Sequence, residues 1–315
     1  MRRYRILTWQ VHGNYLYYLT QAPHEFHVLS KPGFPPGYGG RNGNLPFGPN
    51  VHDCPVERVR ELEFDAVLYQ SLPHYQRDGP ELLSAAQRRL PALYLEHDPP
   101  LGHPTNTVHP VDDPSMLIVH VTHYNALMWD CGRVPTRVIE HGVLVPGSAR
   151  YTGELARGVA VINHLQRRGR RLGADVFARW REEVPLDLFG MAAEDSGGLE
   201  ELPYGRLLDA VARYRFYAHP VRYTSLALAL CEAMMIGLPV IGLATTELPR
   251  IIAESGGGYV DTEMSRLVEV SRRLLDDAGE ARALGEKART YARERFGIDR
   301  FAADWSRVLA EFLGS

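Results

Sequence analysis

Short unbroken apolar runs alternate with stretches of helical periodicity along most of the chain. Runs of strand length fall at 5–11, 26–30, 66–70, 92–96, 117–121 and 137–140, and again at 159–163, 186–189, 216–219, 239–243 and 258–260. Strands buried on both faces read as continuous apolar runs, whereas half-exposed strands alternate, so these are expected to pair in parallel. Helical patterns sit between many of them. One spans 264–275, with apolar residues at 264, 267, 268, 270, 274 and 275, and Asp261 or Thr262 as its predicted N-cap. Repeated strand–helix alternation predicts an α/β fold of doubly wound, Rossmann-like parallel sheets.

The alternation breaks near 145–157, where Pro146, Gly147, Ser148 and Gly153 cluster and Gly158 follows. A domain boundary is expected there. With 315 residues, a length that exceeds what one core usually supports, the predicted organisation is a first domain over 1–150 and a second over 151–297, facing each other across a cleft. Residues 298–315 are predicted to form a last helix. Its residues Phe301, Trp305, Val308, Leu309 and Phe312 share one face, and it is expected to pack back on the first domain. The segments 31–49, rich in Gly and Pro, and 99–114, rich in Pro, His and Asp, lack regular periodicity and read as long functional loops.

Composition narrows the class. Apolar residues make up 45% and charged residues 23%, which excludes a disordered or collagen-like chain. No apolar run reaches the roughly 18–20 residues of a membrane span; the longest candidate, 225–243, is interrupted by Glu232, Gly237 and Pro239. The basic start, Met1-Arg2-Arg3-Tyr4-Arg5, runs into residues too polar for a signal segment, so a cytoplasmic protein is expected. Cys54, Cys131 and Cys231 match no zinc spacing and read as reduced thiols. A net charge of −3 argues against a general nucleic-acid partner.

The stretch from His219 to Ile241 carries the most chemistry. It reads as a strand, a small-residue turn, a helix starting near Ser225, and Gly237-Leu238-Pro239 before the next strand. A helix N-terminus past a strand's C-terminal edge offers free N–H groups to an anion, at the place where open α/β sheets bind ligands. Glu232 is expected about two turns into that helix among apolar neighbours. A carboxylate there needs partners: ligand hydroxyls, or a nearby Arg or backbone group.

Residues 225–241 resemble the nucleotide-sugar signature of retaining family 4 glycosyltransferases, of the GT-B architecture. Glu232-Ala-Met-Met-Ile-Gly-Leu-Pro-Val-Ile241 matches its second glutamate and all that follows. The family's first glutamate falls on Thr224, and its Phe-Gly turn on Leu226-Ala227. The resemblance implies that Glu232 binds the ribose hydroxyls of a nucleoside-diphosphate sugar, with Thr224, Ser225 and Leu226 beside the donor. Val161-Ile-Asn-His-Leu-Gln-Arg-Arg-Gly169 resembles the family's Gly-Arg-Leu…Lys-Gly turn, which places Asn163, Arg167 and Arg168 at the donor, Arg168 foremost and in a catalytic role. An Arg at a strand end can hold a diphosphate and offset charge on a leaving group; the cluster Arg167, Arg168, Arg170, Arg171 also reads as a solvated helix start. Phe189-Gly190-Met191 falls where the family sets a loop against the base. Thr246-Glu-Leu-Pro-Arg-Ile-Ile252 resembles its Gly-Gly-x-Pro-Glu loop without the glycines, and Gly256-Gly-Gly-Tyr-Val260 its next strand entry.

The first half matches more loosely. Val138-Ile-Glu-His-Gly-Val143 resembles the family's hinge strand, and Tyr94-Leu-Glu-His-Asp-Pro99 falls where it carries a His near the reacting sugar, which makes His97 and Asp98 candidate catalytic residues. Gly13, in His12-Gly13-Asn14, stands at the family's glycine-rich turn near the donor phosphates. The implied activity is a hexosyltransferase-type transfer to an acceptor hydroxyl with retention, without metal or other cofactor, and with the nucleotide sugar and an unnamed acceptor as partners. Oligomeric state stays open. Thr224 leaves a second reading, a nucleotide-sugar binding protein without transfer activity. His97, Asp98, His103, His109, Asp112, Asp113, His120 and His123 are dense but fit no metal spacing, and no Gly-x-Gly-x-x-Gly, Walker loop or nucleophile elbow occurs. Tyr15, Leu16, Tyr18 and Leu19 read as one buried helix face, and Trp9 and Trp129 as packing.

Overall fold

The computed structural model describes residues 2–43 and 45–314. Met1 of the basic start, Asn44 of the first long loop and Ser315 of the last helical segment lie outside the described residues. The chain forms β1 (Arg5–Thr8), α1 (Gly13–Leu19), β2 (Glu25–Ser30), β3 (Val51–Pro55), β4 (Ala66–Tyr69), α2 (Gly79–Leu82), β5 (Ala92–Glu96), β6 (Leu117–His120), α3 (His123–Met128) and β7 (Thr136–Val138). There follow β8 (Leu155–Val161), α4 (Leu165–Arg168), α5 (Ala174–Glu183), β9 (Leu186–Phe189), α6 (Tyr204–Val211), β10 (Tyr214–His219) and α7 (Leu228–Ile236). The chain ends with β11 (Val240–Leu243), α8 (Leu248–Ser255), β12 (Gly258–Asp261), α9 (Met264–Asp276), α10 (Ala278–Arg295) and α11 (Ile298–Gly314).

Two compact units result. The first comprises Met1–Gly142 with Ile298–Ser315, and the second Val143–Gly297. The division thus falls ahead of the Gly/Pro cluster from which residue 150 was read. Every strand pair in both units is parallel, as two-sided burial of continuous apolar runs requires.

The first sheet has the order β3-β2-β1-β4-β5-β6-β7. Its core packs Leu7, Trp9, Leu29, Val67 and Ile118 with Tyr69 and Tyr94. The strand β3 was not predicted. Val51 and Cys54 are buried, but His52, Asp53 and Pro55 make the run polar, which an edge position allows. Helix α11 completes this unit. Phe301, Trp305, Val308 and Leu309 are buried, and the Phe301 ring meets Tyr15 of α1 edge-on at 5.6 Å. Gly142 is needed beside it, because a Cβ there would overlap the Phe301 side chain.

The second sheet has the order β12-β11-β10-β8-β9. Helix α7 is apolar on all sides apart from Glu232, and accordingly buried. It begins at Leu228, later than Ser225, so Glu232 stands just over one turn in and not two. Helix α10 buries only Ala281, Gly285, Ala288 and Ala292, and a side chain at Gly285 would strike the Gly237 carbonyl at the end of α7. The N-cap residue of α9 is Glu263, and neither Asp261 nor Thr262 caps it. The Asp261 carboxylate instead accepts a hydrogen bond from Glu263 N at 2.9 Å, which closes the turn ahead of the helix.

Candidate active site

In the second unit the strand order reverses between β10 and β8. Open α/β sheets bind ligands at such a switch point, outside the strands' C-terminal ends. Beyond β8, Ile162 N donates to Phe189 O at 2.9 Å, and the Asn163 side-chain oxygen accepts from Met191 N at 2.9 Å. Gly190, with φ +130°, packs against the Ile162 carbonyl where a Cβ would overlap it. Asn163 and Gly190 thus form one closed double turn over β8 and β9. Buried Leu165 anchors α4, which leaves Arg167 exposed and Arg168 half-buried at its end.

The loop after β10 is tied to the arginine turn. Arg222 N and Tyr223 N both donate to Arg171 O at 3.1 Å. Arg222 forks onto Asp175 of α5 at 2.5 and 2.8 Å, and Arg170 reaches the same carboxylate at 2.6 Å. Arg170 is therefore committed to an ion pair. A side chain at Gly173 would overlap the Pro220 carbonyl, which explains the glycine between the two turns. The Thr245 hydroxyl adds a third tie, donating to Val221 O at 2.8 Å. The Arg222 fork, followed by the charges of Arg222 and Arg170, outweighs burial and holds the Asp175 carboxyl well below the usual carboxylate range. A depressed carboxylate stabilises the fold fully above its unfolded pKa of about 3.9, and that contribution is lost as pH falls toward the folded value. Asp175→Asn should therefore lower the melting temperature at pH 7, and the gap to wild type should shrink progressively below about pH 4. A gap of equal size at pH 7 and pH 3 in calorimetry would show that the pair does not stabilise the loop.

Thr224 is half-buried, and Ser225 and Leu226 are buried, in the loop that leads to α7. Ala227 caps α7 without a side-chain bond, and its carbonyl accepts from Leu230 N at 3.1 Å and Cys231 N at 3.3 Å, so any anion at this end would meet the N–H groups ahead of Leu230. Glu232 is only 3% exposed. The half-buried Tyr204 hydroxyl lies 3.3 Å from both Glu232 Oε1 and Leu144 O, and its one hydrogen is shared between these two acceptors. His219, at the tip of β10, is pushed down to about 4 by burial and is neutral at physiological pH. Three of the described non-glycine residues with positive φ lie in this unit's turns: His164 after β8, Ala192 after β9 and Thr246 after β11. Thr246 (φ +52°) takes there the left-handed backbone that a glycine would adopt freely.

In the first unit the order reverses between β1 and β4. His97 follows β5 and is half-buried. Its Nε2 lies 3.2 Å from the Gln70 side-chain oxygen, and its ring meets His12 at 4.3 Å and Tyr15 at 4.8 Å. Burial, then His12 and His141, hold the imidazole well below its ordinary range. Tyr15 also meets His141, at 5.7 Å. Asp98 accepts through its backbone oxygen from the Trp129 indole at 2.8 Å, and its N–H donates to Glu96 at 3.0 Å. Gly13 opens α1 with His12 as N-cap. His97, Asp98 and Gly13 thus belong to the first unit, and the remaining candidates to the second. The dense histidines of 97–123 serve local contacts. His109 Nε2 bonds Glu96 at 3.1 Å while its Nδ1 accepts from Val111 N, which pins the second long loop to β5. Among the described residues, no three His, Cys, Asp or Glu side chains are grouped to hold a metal.

Sequence reasoning missed Tyr204, Asp175 and Gln70. Tyr204 and Asp175 reach their partners across 28 and 47 residues of chain, so no spacing announced them. Gln70 had one signal, a polar side chain closing an otherwise apolar strand.

The two parallel sheets with flanking helices form an α/β fold that matches solved GT-B glycosyltransferases. Residues 199–291 match the family model described as glycosyl transferases group 1. The solved sucrose-phosphate synthase from Thermosynechococcus elongatus is similar in fold, with 15% identity and a TM-score of 0.69 over 99% of this chain and 100% of that one. The Anabaena protein HepE, solved in complex with UDP-glucose, gives 14% and 0.68 over 98% and 100%. AviGT4, a glycosyltransferase involved in avilamycin A biosynthesis, gives 16% and 0.63 over 99% and 98%. No curated protein matches by sequence. Domain match and fold together support a glycosyltransferase. Among the described residues no helix is long and apolar enough to cross a membrane.

Proposed function

We propose that the protein is a cytoplasmic, retaining glycosyltransferase that moves a sugar from a nucleoside-diphosphate sugar to an acceptor hydroxyl without a metal. The observation that carries this reading is the buried Glu232 carboxylate, on an apolar helix within the group 1 segment and bonded to Tyr204. It suits a ribose, whose vicinal hydroxyls one carboxylate accepts together. The second unit would take the donor: Asn163, Gly190, Thr224, Ser225 and Leu226 line its turns, and Arg167, Arg168 and the start of α7 offer positive charge to the diphosphate. The first unit would take the acceptor, with His97 and Asp98 as its catalytic candidates and Gly13 as its donor-binding one. The departing phosphate accepts the acceptor's proton on the face it leaves, so no strong general base is required. HepE's complex with UDP-glucose makes that donor the first to try.

The test is incubation with labelled UDP-, GDP- and ADP-sugars in chelator, with release of nucleoside diphosphate and the anomeric configuration of the product read by NMR. Arg168→Ala should weaken nucleoside diphosphate binding roughly 10- to 150-fold, the range of a charged hydrogen bond, while nucleoside binding changes little. Equal losses for both would remove the phosphate role. Thr224 favours a second reading, binding without transfer, because it places no carboxylate at the sugar-facing turn; tight nucleotide binding with no donor turnover would establish it.

A further inference from the structure

The hydrogen-bond accounting around Gln70 has one solution. The Thr8 hydroxyl donates to Leu68 O at 2.9 Å, so its oxygen is left to accept. The Gln70 amide nitrogen donates to Thr8 Oγ1 and to Trp9 O, both at 2.9 Å. Both amide hydrogens are therefore used, inside a region where Thr8 and Gln70 are buried. Turning the amide over would set its oxygen against the Trp9 carbonyl. The Gln70 oxygen must then be the atom that faces His97 Nε2 at 3.2 Å, and a carbonyl oxygen only accepts. His97 Nε2 carries the proton, and Nδ1 carries the lone pair.

The groups around this ring are His12, Tyr15 of α1, His141 after β7 and the adjacent Asp98, with Arg300 of α11 acting on Tyr15. Among the described residues, the partner at Nε2 is the uncharged amide of Gln70. We propose that Gln70 is a positioning residue that locks His97 in the Nε2–H tautomer, so that Nδ1 presents a hydrogen-bond acceptor to a hydroxyl of the ligand at the first sheet's switch point. An acceptor-only nitrogen serves a hydroxyl and offers nothing to a phosphate or carboxylate oxygen. The ligand group expected here is a neutral sugar hydroxyl, which rests on the transfer reading above.

The test is long-range 1H–15N NMR of histidine-labelled full-length protein. Wild type should show His97 as the Nε2–H tautomer at neutral pH. Gln70→Ala should turn that signal into a mixture of tautomers. Gln70→Glu keeps the acceptor toward Nε2 but gives up the donations to Thr8 and Trp9, so its fold is checked first by thermal melting; in the folded variant the carboxylate stabilises the imidazolium, and the His97 titration should move up by a unit or more. The acid limb of UDP-glucose turnover should move to higher pH with it, and donor KM should stay within twofold. An Nδ1–H tautomer in wild type, or a tautomer and titration unmoved in both variants, overturns the proposal. The tautomer readout needs no turnover, so an inactive wild type with the expected spectrum would refute the transfer reading and leave Gln70 in its role.

Discussion

Glu232→Gln should fold as the wild type does and bind ribonucleotides at least tenfold more weakly. The substitution keeps the shape of the side chain and can still accept from the Tyr204 hydroxyl at 3.3 Å. It removes the charge and one of the two oxygens that would accept from a ribose. Hydrogen bonds to charged groups are worth about 1.5–3 kcal/mol, or roughly 10- to 150-fold in affinity. Titration calorimetry with UDP and with its 2′- and 3′-deoxy analogues separates the two roles open to this carboxylate. If it holds ribose, wild type and variant should differ less for the deoxy analogues than for UDP, because part of the interaction is already missing. If UDP binds both proteins equally, Glu232 serves only as the partner of Tyr204, and the donor site lies elsewhere.

Phe301→Ala should cost about 3–5 kcal/mol of stability, the usual range for a buried phenylalanine. Phe301 is fully buried, touches Tyr15 and Trp305 edge-on, and leaves no room for a side chain at Gly142. Nothing at Gly142 can expand to fill the void. Because Tyr15 lies between Phe301 and His97, the cavity should also loosen the His97 ring. Denaturant unfolding measures the first effect, and broadening of the His97 resonances the second. A loss under 1 kcal/mol would mean that α11 is held mainly by Trp305, Val308 and Leu309.

The parallel sheets were legible because burial on both faces writes itself as an unbroken apolar run. The run 92–96 and the strand Ala92–Glu96 coincide for that reason. The edge strand β3 was not legible, because half-buried His52 and exposed Asp53 interrupt its apolar residues and its pattern is that of a loop. The start of α7 was read too early. The pattern sets the helix start near Ser225, yet Ser225 is buried in the preceding loop and the helix waits until Leu228. That shift moved Glu232 from about two turns into the helix to just over one. The Arg167–Arg171 cluster could be narrowed only with coordinates: Arg170 is engaged by Asp175, a residue no motif singled out. Long-range polar pairs such as Arg222–Asp175 and Gln70–His97 are set by which loops the sheets bring to one edge, and that is a property of topology and not of spacing.

The first unit is assembled from two pieces of chain, Met1–Gly142 and Ile298–Ser315, with all of Val143–Gly297 between them. On the ribosome, the second unit is fully synthesised while the first still lacks its last helix. At roughly 5–20 residues per second the wait is on the order of ten seconds or more. Throughout that interval the surface of α1 around Tyr15, and the backbone at Gly142, stand without Phe301 over them. The order of completion is then reversed relative to the order of synthesis: the later-made unit has all of its chain first, and the N-terminal unit presents an apolar face to chaperones until α11 has emerged.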